Sequence, residues 1–228
     1  MDQENMFNVY QIEKIVKAIL IEADVHHGFS HAYRVSQIAR MINEEEKGDL
    51  LILQTAALFH DVGLCYGREY HEVSSANIAI NELLKINAAQ YFVDKVAECI
   101  VSHRSHLNPK TIEARILWDA DKLDRLIISR HADLLFAEAA GKDISIIYYQ
   151  ALGDLRNLRV RLHFEQSRKF HDLLFKQLEC FLRDNKLEPY LLTRNLLLPG
   201  IIAPCDLGDA NKWLGQANHA LDMDNFCA

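Results

Sequence analysis

Glycine and proline are scarce in this chain, which has nine glycines and four prolines among 228 residues. Their combined share is about half of the roughly 12% that these two residues make up in average proteins. A sandwich or barrel of short strands needs many tight turns, and glycine and proline are prominent in such turns. The scarcity therefore nearly excludes an all-β fold, and together with the helical periodicity described below it predicts an all-α fold.

The overall composition is that of a globular protein, with 50% hydrophobic and 25% charged residues. A chain of this length can bury a substantial core, either as one large domain or as a domain with an extension. The formal net charge is −7. This charge argues against general nucleic-acid binding, because surfaces that bind nucleic acid carry an excess of basic residues.

Three features predict a cytoplasmic protein. The five cysteines are an odd number without CxxC spacing, which is expected of reduced thiols. Residues 1–6 are acidic and polar, unlike a secretory signal. No apolar run approaches the roughly 20 residues of a membrane-spanning helix, so no membrane association is expected.

Hydrophobic residues recur at intervals of three and four along much of the chain, which is the spacing of helices with one buried face. Leu50–Phe59 is almost continuously apolar and predicts a helix that is buried on most sides and stops near Gly63. Ser30 is the predicted N-cap of the preceding helix. The other predicted helices span or begin at Val9–Leu20, His71, Val93–Ile100, Thr111, Asp143–Leu155 and Leu158–Arg183.

These helices define a predicted helical domain over residues 1–185. Residues 186–228 contain Pro189, Pro199 and Pro204, and prolines interrupt regular helices. We predict that this segment is a C-terminal extension packed on the core or on a partner.

The dipeptide His60-Asp61 lies at the end of the buried helix. Burying a carboxylate beside an imidazole costs free energy unless the charge is compensated. A metal ion compensates it, because neutral imidazole and carboxylate are both good ligands. For the dipeptide alone, the alternative is a pair that bonds the last helix carbonyls and faces water.

Two other predicted helices offer side chains of the same chemistry. His31 lies in the first turn of the helix that begins near Ser30, and Asp121 lies within Trp118–Asp124. Three helices can then present imidazole and carboxylate groups to one centre.

The order of a histidine, a His-Asp pair and a distant aspartate resembles that of the HD-domain metal-dependent phosphohydrolase superfamily. The resemblance covers about residues 20–135 and implies a compact multi-helix HD-domain bundle. It includes the residues around the proposed ligands. The matching segments are His31-Ala-Tyr-Arg34-Val35, Ala56-Ala-Leu-Phe-His-Asp61, His71-Glu72, His103-Arg104 and Asp119-Ala-Asp-Lys-Leu-Asp124.

The resemblance implies a set of four metal ligands, namely His31, His60, Asp61 and Asp121. His27 is an alternative to the first ligand, and Asp119 or Asp124 is an alternative to the last. Otherwise Asp124 lies one helical turn away, where it can orient Lys122 or a ligand. Because two ligands are imidazoles, Mn, Fe, Co, Ni or Zn is favoured and Mg is less favoured.

The resemblance implies two possible roles for His71 and His103. In two-metal relatives, histidines in comparable segments bind a second ion, and in one-metal relatives they contact phosphate or shuttle protons. The alternative is that each is a helix-end histidine exposed to solvent. Six further histidines are predicted to lie at the surface: His26, His106, His131, His163, His171 and His219.

The implied activity is hydrolysis of a phosphomonoester or phosphodiester in a small nucleotide-like substrate by a metal-activated water. The predicted catalytic residues are His71, Glu72, His103 and Lys122. The predicted phosphate-binding residues are Arg34, Arg68 and Arg104, because guanidinium groups bind phosphate bidentately. Any one of these charges can instead be an ordinary surface charge, and a homodimer is left open.

Two other functions stay open at this point. One is a di-iron oxygenase, which would need His71 and His103 as ligands of a second iron. The other is a non-catalytic domain that binds a nucleotide for regulation. The segment Arg125–His131 stands where a related subset has a glycine-rich stretch, so the resemblance does not identify the substrate.

Overall fold

The computed structural model describes residues 8–20, 28–104, 108–127, 153 and 155–184. These residues form α-helices and short 3₁₀ helices without a strand among them, which confirms the predicted all-α class. The α-helices are α1 (Val9–Ile19), α2 (Phe29–Glu46), α3 (Leu50–Phe59), α4 (His71–Lys85), α5 (Gln90–Val101), α6 (Ile112–Asp124) and α7 (Glu165–Asp184). The 3₁₀ helices are Val62–Tyr66 and Arg159–Arg161.

The chain divides into two compact units. The first is formed by Met1–Asp124 with Leu162–Ser167, and the second by Arg125–Arg161 with Arg168–Ala228. Within the described residues no single helix is long and apolar enough to cross a membrane. Among these residues one pair of helical segments has the necessary length and composition only when taken together, namely Leu50–Tyr66 with His71–Lys85, and the pair is bent by 118°.

Helix α3 is the centre of the first unit. Its residues from Ile52 to Phe59 are all buried, and it packs against α1, α2, α5 and α6. Asp49 begins the helix by accepting hydrogen bonds from the backbone N–H groups of Leu51 and Ile52, which satisfies donors that have no partner within the helix. Because α3 is surrounded by other helices, its last turn delivers His60 and Asp61 to the interior.

Helix α2 begins earlier than predicted. Its N-cap is Gly28 rather than Ser30, so the prediction of a serine cap is wrong. His31 still lies in the first turn of the helix. Helix α2 packs along α6, and this contact places His31 and Arg34 opposite the acidic end of α6.

Gly63 does not stop α3, which ends at Phe59, and it lies instead within the 3₁₀ helix that follows. A Cβ atom at this position would lie 2.5 Å from both the carbonyl oxygen of His71 and the backbone nitrogen of Ser75. The glycine therefore permits the close approach of the His60-Asp61 segment to α4. Its backbone N–H donates a hydrogen bond of 2.8 Å to Ser75 Oγ.

The predicted helix over Leu158–Arg183 is interrupted. A 3₁₀ helix at Arg159–Arg161 precedes α7, which begins at Glu165. Between them, the backbone N–H groups of His163 and Phe164 donate to the buried carboxylate of Asp119. The predicted helix Asp143–Leu155 falls almost wholly outside the described residues, as does the whole of the segment 186–228.

Candidate metal centre

Five segments of the first unit bring six side chains with metal-binding chemistry together. The start of α2 supplies His31, the end of α3 supplies His60 and Asp61, and the last turn of α6 supplies Asp121. The first residue of α4 and the residues just beyond α5 supply His71 and His103. The side chains form two groups of three, His31 with His60 and Asp121, and Asp61 with His71 and His103, and the ligand atoms within each group lie within 4.8 Å of one another.

The first group is compact and buried. His31 Nε2 lies 3.2 Å from His60 Nε2 and 3.5 Å from Asp121 Oδ1. His60 Nε2 lies 3.7 Å from the same Asp121 oxygen. An ion with bonds of about 2.1 Å to nitrogen and oxygen holds neighbouring ligand atoms roughly 3.0–3.4 Å apart. The distance between the two nitrogens lies in this range and the two distances to Asp121 lie slightly above it, so the group is close to the spacing of ligands around one divalent ion.

Asp61 faces both groups with different oxygens. Its Oδ2 lies 3.4 Å from His31 Nε2 and 3.4 Å from His60 Nε2. Its Oδ1 lies 3.3 Å from His71 Nε2 and 3.5 Å from His103 Nε2, and these two nitrogens are 3.3 Å apart. One carboxylate therefore joins the two groups.

The hydrogen bonds of the four imidazoles establish which ring nitrogen faces the centre. The Nδ1 atoms of His60, His71 and His103 lie 2.8, 3.0 and 2.5 Å from the backbone oxygens of Ala57, Arg68 and Ile100. His31 Nδ1 lies 2.7 Å from Asp124 Oδ2. Carbonyl and carboxylate oxygens only accept, so each Nδ1 is the donor.

Four Nε2 atoms consequently point at one another and at two carboxylates, and in the neutral rings each of them carries a lone pair. Such an arrangement is repulsive unless positive charge lies among the nitrogens. Histidines that bind metals characteristically donate their other ring N–H to a carbonyl or carboxylate, and all four of these histidines do so. The donor set therefore fits divalent metal in both groups.

The pKa values of His60, Asp121 and Asp61 are shifted because opposite charges lie close together in a buried site. Burial acts to lower the pKa of His60, but the charges and hydrogen bonds of Asp61 and Asp121 outweigh it and raise the pKa to about 10. Burial acts to raise the pKa of Asp121, yet the charge of Lys122 and the contact with His60 hold it well below its usual range. The same balance holds at Asp61, where His60 supplies the largest favourable charge. The two carboxylates are therefore ionised and attract a cation.

The second group differs in its exposure. The hydrogen bond with Asp61 raises the pKa of His71, which is partly exposed, whereas burial lowers the pKa of His103. His103 is thereby favoured in its neutral form, in which Nε2 can bind a metal. Both histidines lie at the centre. His103 is only 3% exposed, so it is not a solvent-exposed residue at a helix end.

The aspartates weighed as alternatives to Asp121 have other partners. Asp119 accepts from His163 Nδ1 at 2.7 Å and from two backbone N–H groups. Asp124 binds His31 Nδ1 and the guanidinium of Arg34. His27 lies outside the described residues. Asp121 is the α6 carboxylate that faces the Nε2 atoms.

The predicted phosphate-binding and proton-transfer residues lie in contrasting surroundings. Arg104 is half-buried and donates to Glu72 Oε2 at 3.2 Å, and that oxygen lies 3.7 Å from His71 Nδ1. Lys122 binds Asp121 Oδ2 through its ammonium group, which also lies 5.6 Å from the centre of the Trp118 ring. Arg68 lies in the exposed segment 65–70 just before His71. Arg34, in contrast, is 2% exposed and bound to Asp124.

The surface prediction is wrong for His171. This histidine is 2% exposed and donates through Nε2 to the carbonyl oxygen of Leu155 at 2.8 Å. His163 is half-buried against Asp119 and Trp118. The sequence carried no signal for either contact, because the partners of these residues are distant in the chain or lie in the backbone. The other four unassigned histidines lie outside the described residues.

Comparison with known proteins agrees with this geometry. The family model of the HD domain matches residues 28–126, which include all six side chains of the centre. The uncharacterized protein YpgQ of Bacillus subtilis (strain 168) is 30% identical over 138 residues, which are 58% of this chain and 67% of that protein. The chain belongs to the HD-domain family. The predicted family is thus confirmed.

Solved structures share the fold. A predicted HD superfamily hydrolase from an uncultured Thermotogales bacterium is 25% identical, with a TM-score of 0.56 over 77% of this chain and 89% of that one. The structure of Bacillus subtilis YpgQ in complex with ADP is 23% identical, with a TM-score of 0.58 over 86% of this chain and 97% of that one. The family places this HD-domain protein among hydrolases.

Proposed function

We propose that this HD-domain protein is a metal-dependent phosphohydrolase that uses a metal-activated water on a phosphomonoester or phosphodiester of a small nucleotide-like compound. The observation that supports it most is the orientation of four Nε2 atoms toward Asp61 and Asp121. Each opposite Nδ1 is already engaged as a donor. The arrangement suits divalent metal better than a purely structural cluster.

The residues divide between two ions in this proposal. His31, His60, Asp61 and Asp121 hold the first ion, and Asp61, His71 and His103 hold the second. Mn, Fe, Co, Ni or Zn is favoured by the imidazoles, with Mg less favoured. Bound metal supplies a lowered pKa for water and stabilisation of the charge that develops on a phosphoryl group.

Three cationic side chains near the centre are proposed to bind the substrate phosphate. Lys122 and Arg104 are already held beside it by Asp121 and Glu72, so little side-chain entropy remains to be lost on binding. Arg68 is exposed and is therefore accessible to the phosphate of a substrate that arrives from solvent. The buried contact of Arg34 with Asp124 favours a different role for that residue.

Proton transfer is assigned to the acid-base groups at the open side of the centre. His71 is partly exposed and is in contact with both Asp61 and Glu72. Its Nε2 can pass a proton to a leaving group only when the second ion is absent, because that ion would occupy the same lone pair. Glu72 holds Arg104 in place. His103 lies deeper and serves as a ligand in this proposal.

A nucleotide-like substrate is supported by the relative whose structure contains ADP. A nucleotide offers phosphates for the cations described above. A direct test combines metal analysis with turnover. Protein purified without chelator is expected to contain a transition metal at about two ions per chain, and Mn²⁺-loaded protein is expected to hydrolyse at least one member of a panel of nucleotides and generic phosphoesters.

Variants of the ligands make the test specific. Asp61→Ala is expected to lose metal and activity, because this carboxylate faces both groups, whereas His103→Ala is expected to keep one ion. Absence of transition metal together with absence of Mn²⁺- or Ni²⁺-dependent hydrolysis would reject the proposal. Nucleotide binding without turnover would instead favour the regulatory domain, and two irons with oxygen consumption would favour the di-iron oxygenase.

A further inference from the structure

His31 is oriented differently from the other three histidines of the centre. His60, His71 and His103 each donate to the carbonyl oxygen of the residue three positions earlier in the chain. These are local contacts at helix ends and turns. His31 instead donates to Asp124, which lies 93 residues away on α6.

His31 lies in the first turn of α2, which packs against α6. The carbonyl of Gly28, three residues earlier, already accepts from the backbone N–H groups of His31 and Ala32 at the start of the helix. The ring donates to a carboxylate on another helix instead. Its orientation therefore depends on the packing of α2 against α6.

Asp124 is itself fixed by Arg34. The Nε of Arg34 donates to Asp124 Oδ1 at 2.7 Å and its Nη2 donates to Oδ2 at 3.3 Å. The three side chains are almost wholly buried, with exposed fractions of 1% for His31, 2% for Arg34 and 0% for Asp124. A carboxylate this deeply buried needs a compensating charge, and the guanidinium provides it.

Helix α6 consequently contacts both nitrogens of one imidazole. Asp124 binds Nδ1, and Asp121, one turn earlier, lies 3.5 Å from Nε2. We propose that Asp124 and Arg34 are positioning residues that hold His31 in the tautomer and orientation in which Nε2 binds the first metal ion. This inference rests on the proposed function and gives Arg34 a role other than phosphate binding.

The test measures metal affinity rather than turnover. Asp124→Asn keeps the size of the side chain and removes its charge. Loss of such a partner behind a metal-binding histidine typically weakens metal binding about 10- to 100-fold, and we expect a loss of this size for Mn²⁺ in competition with a chelator. Arg34→Lys, which keeps the charge but not the two-bond geometry, is expected to give an intermediate affinity.

Asp119→Asn is the matched control. Asp119 is also a fully buried carboxylate of α6 bound to an imidazole Nδ1, but its partner is His163, outside the centre. We expect this variant to lose stability and to keep its Mn²⁺ affinity within about threefold, well below the loss expected from a partner of a ligand. An equal loss in both variants would mean a general distortion of α6 and would overturn the inference, as would wild-type affinity in Asp124→Asn.

A second measurement does not depend on any variant folding. In the Zn²⁺-loaded wild type, long-range ¹H–¹⁵N spectra distinguish protonated from unprotonated ring nitrogens. We expect His31 to carry its proton on Nδ1, and a proton on Nε2 would overturn the inference. Failure of the proposed function is a separate outcome, because it would appear as wild-type protein that binds no metal, or that binds metal and hydrolyses nothing.

Discussion

Gly63→Ala tests whether the spacing between two backbone segments controls the second metal-binding group. The added Cβ would lie 2.5 Å from His71 O and Ser75 N and 2.8 Å from Ser74 Cβ, whereas ordinary contacts begin at 3.4 Å. Two of these atoms are backbone, and a close-packed interior has no free space for the methyl group, so the segments must separate by roughly 0.6–0.9 Å. The backbone at Gly63 has no positive φ, so the clash is the source of the strain.

The separation acts most directly on the second group. The clashing carbonyl belongs to His71, whose Nε2 lies 3.3 Å from Asp61 Oδ1. The members of the first group come from α2, the end of α3 and α6, and none of them lies on α4. Overpacking costs about 1–3 kcal/mol, which corresponds to a fall in Tm of roughly 2–12 °C in a chain of this length.

We therefore expect Gly63→Ala to be folded, less stable and reduced from two metal ions to one, as measured by elemental analysis after gel filtration. Ser75→Ala is the control at the same contact. It removes the acceptor of the Gly63 N–H, which costs about 1–3 kcal/mol, but it adds no atom and should keep both ions. Two tightly bound ions in Gly63→Ala would refute the reasoning.

Three further outcomes follow from the buried charges. The pKa of His60 is raised from 6.5 to about 10 in the metal-free fold, so its proton stabilises the fold fully below pH 6.5 and this contribution is lost as pH rises toward 10. Urea unfolding should show a free energy that falls by up to about 1.4 kcal/mol per pH unit over that range, and a flat profile would contradict this. Asp119→Ala leaves the N–H groups of His163 and Phe164 without their acceptor and should cost about 2–6 kcal/mol in the same assay, at about 1–3 kcal/mol for each donor. A loss below about 1 kcal/mol would show that these hydrogen bonds contribute little to stability. Arg104→Ala should raise KM for the best substrate roughly tenfold with metal content unchanged, as expected when one charged hydrogen bond is lost, and an unchanged KM would remove Arg104 from phosphate binding.

The sequence by itself determined the helical class of the fold and indicated the chemistry of the centre. Helix α3 is an example, because the apolar run Leu50–Phe59 has the same bounds in the structure. Periodicity and helix-terminal signals act over a few residues, so they can be recognised in the sequence without knowledge of the tertiary structure. The ordered set of histidines and aspartates likewise indicated a metal centre, since few other residue types bind transition metals.

Only the tertiary structure decided how these residues act together. The family resemblance favoured Asp121 over Asp119 and Asp124, but their spacing could not separate them, because all three lie within six residues of one helix. Their roles depend on what α6 faces: His163 for one, the Nε2 atoms for the next, and Arg34 with His31 for the last. The sequence also contained no sign that Arg34, a predicted phosphate-binding residue, is buried, because its partner Asp124 lies 90 residues away in the chain. Hydrogen bonds between distant segments are fixed by helix packing, and packing follows from the sum of many weak contacts rather than from any local pattern.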